Sequence, residues 1–187
     1  GFAARVPWQG GFVGVLTADL PRRNATIVRR RERALDLVGM REFRHGIHLR
    51  PDNLAGGRSV VAAHLASLGL DDEADVVGLS LDAPQVRAVE ALYDVKKDTG
   101  RASALEAKVR SMLEGIETRP KRKLAVESFW LGDEVLRFLA RDPLLPESVA
   151  DPAPRRALGD AMAALDEKAH AVWMGLLSEY EANEGTK

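Results

Sequence analysis

Residues 40–51 read MREFRHGIHLRP, with room for two short strands. Met40 and Phe43 supply the apolar positions of the first, Ile47 and Leu49 those of the second, and Gly46 lies near the bend. A strand pair in mid-chain decides the fold, because of what stands on either side of it. Upstream, residues 12–18 (FVGVLTA) form a nearly continuous apolar run with β-branched members, which reads as a buried central strand. Asp19-Leu20-Pro21 ends that run. Proline suits the first helical turn, so a helix is expected from Pro21 to Val38. Its stripe is Ala25, Val28, Leu35 and Val38, with Gly39 as its stop. Downstream, Pro51-Asp52-Asn53 and Gly56-Gly57 make a loop. A second helix is expected from Arg58 to Leu68, with Val61, Leu65 and Leu68 inward and Gly69 as stop. Asp75–Leu81 (DVVGLSL) then alternates at Val77, Leu79 and Leu81, as a strand does. The order β-α-β-β-α-β is that of a ferredoxin-like domain over residues 11–82: a four-stranded antiparallel sheet with both helices on one face.

After Asp82 no strand signal recurs. Residues 83–93 begin helical, and Lys96-Lys97-Asp98-Thr99-Gly100 reads as a polar break. Leu105, Val109, Met112 and Ile116 then recur at helical spacing up to the Arg119-Pro120 interruption. Between Lys123 and Arg141, Leu124, Leu131, Val135, Phe138 and Leu139 form a stripe that Phe129 and Trp130 widen. Asp142-Pro143 ends this helix, because the proline ring disfavours helix at the residue before it. Residues 155–180 carry Leu158, Met162, Leu165, Ala169, Val172, Leu176 and Tyr180, a long amphipathic helix. The fold class is therefore α+β, with an all-helical C-terminal domain over residues 83–187 and a linker over residues 1–10, where Trp8 packs locally.

The composition is that of a globular chain: 187 residues, 45% hydrophobic and 29% charged, enough to bury a core without staples. The absence of cysteine excludes disulfides, thiolate metal sites and a cysteine nucleophile. It fits a reducing, cytoplasmic setting. No apolar run approaches the roughly 20 residues that span a bilayer, so no membrane partner is expected. Residues 1–57 hold ten Lys/Arg against five Asp/Glu, a surplus of five positive charges in a chain of net charge −1. A basic front and a mildly acidic back suggest two modules.

Candidate chemistry is sparse, and each candidate has an ordinary structural reading beside it. Asp19, at a strand end, is either the cap of the following helix or one ligand of a divalent metal in a nuclease that needs further carboxylates. Arg22, Arg23 and Arg30 are candidate phosphate contacts, or simply a solvated face. His45 and His48, three apart on strands, face opposite ways and make a poor metal pair. No Ser-His-Asp arrangement, HExxH, Gly-rich phosphate loop or zinc spacing occurs, and no cofactor is implied. Trp130 and Trp173 are core residues, or the walls of an aromatic-ligand pocket in which Arg137 or Arg141 meets an anionic group.

Three segments carry a family resemblance: VPWQGGFVGVLTADLP at residues 6–21, GIHLRPDNLAGG at residues 46–57 and RFLARDPLLP at residues 137–146. In this order they resemble the PaaX-type transcriptional regulators, bacterial repressors of phenylacetic acid catabolism and their relatives. The resemblance spans residues 6–177, and HLRPDN and RDPLLP are its most specific parts. It implies a winged-helix DNA reader upstream of residue 1, then a ferredoxin-like middle domain and a helical C-terminal domain. It also implies no enzymatic activity, a homodimer, DNA as partner through the absent reader, and a small-molecule effector that is an aromatic acyl-CoA in the best-known members. The chain departs from the family pattern at His48 and at Asp133–Leu136, where members tend to carry aromatic or basic residues.

Overall fold

The computed structural model describes residues 4–184; within it the side chains of residue 177 and residues 179–184, including the expected stripe member Tyr180, lie outside the described set. Among the described residues four strands and six helices follow one another as β1 (Gly11–Leu16), α1 (Ala25–Leu37), β2 (Arg41–Arg44), β3 (Ile47–Pro51), α2 (Gly57–Ser67), β4 (Asp75–Ser80), α3 (Ala83–Glu90), α4 (Val95–Glu114), α5 (Lys121–Ala140) and α6 (Ala153–Glu184). The fold is mixed α/β, with one antiparallel four-stranded sheet of order β2-β3-β1-β4. Two compact units are present: Gly1–Val95 with Arg141–Ala150, and Lys96–Ala140 with Asp151–Lys187.

The sheet unit buries both faces of its sheet. Alternation along β1 sends Val13 and Val15 into a core with Ala34, Leu35 and Val38 of the α1 region and with Val61 and Leu65 of α2. Phe12 points the other way, joining Leu49, Val89, Tyr93 and Leu145 under α3. Alternation puts Gly14 on this second face too, and its neighbours on the adjacent strands leave no room for a side chain there. A Cβ there would sit 2.7 Å from Leu79 and 3.1 Å from Leu49. The helical unit closes around Leu105, Val109, Leu124, Val135, Leu158 and Leu165 from α4, α5 and α6.

Several sequence expectations need correction. Helix α1 starts at Ala25 rather than Pro21, and its cap is Asn24 rather than Asp19. Asn24 takes the extended conformation, and its Oδ1 accepts from the amides of Thr26 and Ile27 at 3.0 and 3.3 Å. Replacing Asn24 by alanine should cost about 1 kcal/mol, readable as a lowered denaturation midpoint. Residues 96–100 are no break; α4 runs through them. An exposed glycine inside a helix costs only about 1 kcal/mol relative to alanine, and Asp98 in the first turn suits the helix dipole. The expected boundary at residues 82/83 lies at Val95/Lys96 instead, because α3 and Tyr93 cover the second face of the sheet. The described part of the expected linker, residues 4–10, is not free either, while residues 1–3 lie outside the described residues. The Val6 amide donates to Asn53 O at 2.9 Å, Ala4 O accepts from Ala55, and the Trp8 ring meets Phe12 edge-on.

Candidate functional site

The two segments that carry the resemblance most specifically meet in the sheet unit. Residues 141–150, between α5 and α6, form a strap that belongs to the sheet unit. Three successive strap carbonyls each receive a side-chain donor. Arg50 Nη2 donates to Pro143 O at 3.2 Å, Asn53 Nδ2 to Leu144 O at 2.7 Å, and Arg5 Nη1 to Leu145 O at 3.3 Å. Arg50 lies opposite Val13 in the sheet register, and only 1% of it is exposed. Its Nη1 donates to Val38 O at 2.5 Å, its Nε to Pro51 O at 3.2 Å, and Nη2 also to Asn53 Oδ1 at 3.3 Å. Burial pushes the guanidinium down to about 10, with Tyr93 and Asp52 opposing, so it is charged at neutral pH. Carbonyl dipoles of Val38, Pro51, Asn53 and Pro143 meet that charge.

The strap is shaped to fit this clamp. The Asp142 carboxylate accepts from the Leu144 amide at 2.7 Å, which tightens the turn. Leu144 sits at φ 52°, alone among the described non-glycine residues in having positive φ. That conformation lets Leu144 pack on the first core and Leu145 enter the second. Gly39, at φ +76°, passes so close that a Cβ would lie 2.7 Å from Pro143. The Tyr93 hydroxyl reaches Gly39 O at 3.0 Å and Leu49 O at 3.3 Å, and burial pushes this phenol up to about 12. Sequence reading singled out HLRPDN and RDPLLP but not the roles of Arg50, Asn53, Tyr93 and Arg5. The available signal was a charged residue set between a buried-pattern leucine and a proline.

The four expected effector residues are divided between the units, Trp130, Arg137 and Trp173 in the helical unit and Arg141 in the sheet unit. Trp130 is 62% exposed and stands edge-on to Phe129, so it is not a core residue. Arg137 pairs with Asp133 on its own helix at 2.8 Å, and exposed Arg141 belongs to the sheet unit. Only Trp173 lines the groove between α5 and α6, a volume of about 350 Å³ floored by Gly132, Met162, Leu165 and Ala169. Its charged lining side chains are Asp133 and Asp166, with His170 beside them.

Arg22, Arg23 and Arg30 are all exposed. Arg22 donates to His45 Nε2 at 3.1 Å, and Arg30 lies over Gly69. Their neighbour Arg31 is withdrawn from the basic face. It is buried in a two-pronged ion pair with Asp71, at 2.7 and 2.9 Å, and also donates to Pro21 O. Asp19 is exposed in the turn after β1, and among the described residues no three His, Cys, Asp or Glu side chains gather as a metal site. Among the same residues no helix is long and apolar enough to cross a membrane.

No family model matches the chain, and no curated protein matches it. Among solved structures the chain is similar to an uncharacterized protein, Rv0674 from Mycobacterium tuberculosis. The TM-score is 0.58 at 19% identity, over 90% of this chain. The chain spans 66% of the length of that protein, and the likeness is one of fold.

Proposed function

We propose that this chain is the dimerisation and effector-sensing portion of a PaaX-like transcriptional regulator of a catabolic operon, acting in the cytoplasm without catalysis. In this reading a ferredoxin-like domain, supported by the β2-β3-β1-β4 sheet order, precedes a helical domain. The DNA reader is a separate winged helix, and Arg22, Arg23 and Arg30 are left accessible for phosphates. The observation that carries the reading is the Arg50 clamp, in which Arg50 and Asn53 of HLRPDN donate to the backbone of RDPLLP. The clamp also gives a sensing protein its coupling element. The connection between α5 and α6 is held by another unit, so a ligand that prefers one arrangement of these helices biases the strap's attachment.

Thermal denaturation against aromatic acyl-CoAs and their free acids tests the sensing. A true effector at 100 times its Kd adds about 2.7 kcal/mol, a rise of roughly 5–10 °C for a chain of this size. No shift with any of them would remove the sensing claim. Metal-stimulated cleavage of nucleic acid that disappears in Asp19→Asn would replace the regulator by the nuclease alternative.

A further inference from the structure

Helix α5 is apolar on two faces. One face, Leu124, Ala125, Ser128, Leu131, Gly132 and Val135, is buried in the helical unit. The other runs Val126, Phe129, Trp130, Asp133, Leu136 and Arg137, at spacings of three, one, three, three and one. This second stripe recurs with the seven-residue period of a helix-pairing seam: Val126 and Asp133 in one row, Phe129 and Leu136 in the other. Phe129, Trp130 and Leu136 are 60–62% exposed. Six of the nine exposed large apolar side chains among the described residues lie on α5 and α6: Val126, Phe129, Trp130, Leu136, Trp173 and Met174. Lone exposed apolar residues need no explanation, but a concentration on one helix pair does.

We infer that this face is a self-association surface, on which α5 of a second copy of this chain packs against α5 and the α5–α6 groove. The seam period favours a helix as occupant over a small molecule, because a ligand filling the groove would leave Val126 and Trp130, which do not line it, in water. The charges do not call for a charged partner. Asp133 and Arg137 already neutralise each other at 2.8–2.9 Å, so a partner covering the stripe need bring no counter-charge. An apolar helix carrying an internally paired charge is what the stripe itself offers, which makes it self-complementary across a two-fold axis. Phe129, Leu136 and Trp173 border one groove, and Val126 and Trp130 continue the stripe along α5. Aromatic side chains such as Trp130 and Phe129 are the kind that anchor such contacts. The inference rests on the self-association within the regulator reading and on nothing about DNA or effector.

Light scattering on the eluting wild-type chain at micromolar concentration should give twice the chain mass. Trp130→Glu and Leu136→Glu should each weaken self-affinity by at least about thirtyfold, with melting of the dilute chain unchanged because both side chains are exposed. Leu92→Glu, an exposed apolar site in the sheet unit, should leave the dimer intact. If a glutamate variant fails to fold, Trp130→Ala reads the same contact with a milder change. A monomeric wild-type chain, or a dimer that survives the Trp130→Glu/Leu136→Glu double variant, overturns the inference. A dimer that depends on this face but ignores every effector candidate leaves it standing while the sensing reading fails.

Discussion

Replacing Arg50 by methionine is expected to lower the stability of the sheet unit by about 3 kcal/mol, seen as a fall of roughly 10 °C in melting temperature. Methionine keeps much of the apolar stem but removes every donor. Val38 O and Asn53 Oδ1 each lose a bond inside a buried site, and Pro143 O loses one in a part-buried site. An unsatisfied buried acceptor costs about 1–3 kcal/mol, and relief of the buried charge offsets part of the sum. Arg50→Lys should be no better tolerated. It keeps the charge, but one ammonium cannot reproduce the planar fork that spans Val38 O and Pro143 O. A change below about 0.5 kcal/mol in both variants, typical of an inert surface site, would show that the clamp does not hold the strap.

The second large effect is expected at Asp71. Its side chain is 9% exposed and that of Arg31 5%, so Asp71→Ala leaves a buried guanidinium with Pro21 O but without its carboxylate. Breaking a buried pair from one side costs about 3–5 kcal/mol. The hydrogen bond from Arg31 holds the Asp71 carboxyl below the usual carboxylate range. A depressed folded value means that the unfolded chain binds the proton first. The pair's contribution is therefore complete above the unfolded value, about 3.9, and is lost as pH falls through the lower folded value. Equilibrium denaturation should show wild-type stability falling on acidification below about pH 4 more steeply than that of Asp71→Asn. Parallel acid limbs in the two proteins would remove Asp71 from the account of acid stability.

Much of the sheet was legible because strand alternation is local. Val13 and Val15 point to one face and Phe12 to the other without help from distant residues. The start of α1 was misplaced because Pro21 carries a helix-start signal that Asn24 carries more strongly once its own backbone is extended. The polar run at residues 96–100 reads as a loop by composition, yet its side chains need only face water on the outside of α4. The clamp was hidden for a different reason. Arg50 and Pro143 are 93 positions apart, and no periodicity reports a hydrogen bond over that separation. Phe129 and Trp130 do not widen the buried apolar face of α5, although their sequence position suggests that they do. They belong to a second face, about half a turn away from the buried stripe.

Whether residues 141–150 are held by the sheet unit, rather than by the helices they connect, is read most directly by native-state hydrogen exchange. The amides to follow are those of Leu144, Val149 and Ala150, bonded to Asp142 and Pro146 within the strap. In the wild-type chain they should open only together with the sheet core around Val13 and Val15. In Arg50→Met they should exchange at least tenfold faster, while Leu131 and Leu165 in the helical unit keep their protection. Strap amides that follow α5 and α6 instead, or that ignore the loss of Arg50, would contradict the clamp and the regulatory reading built on it.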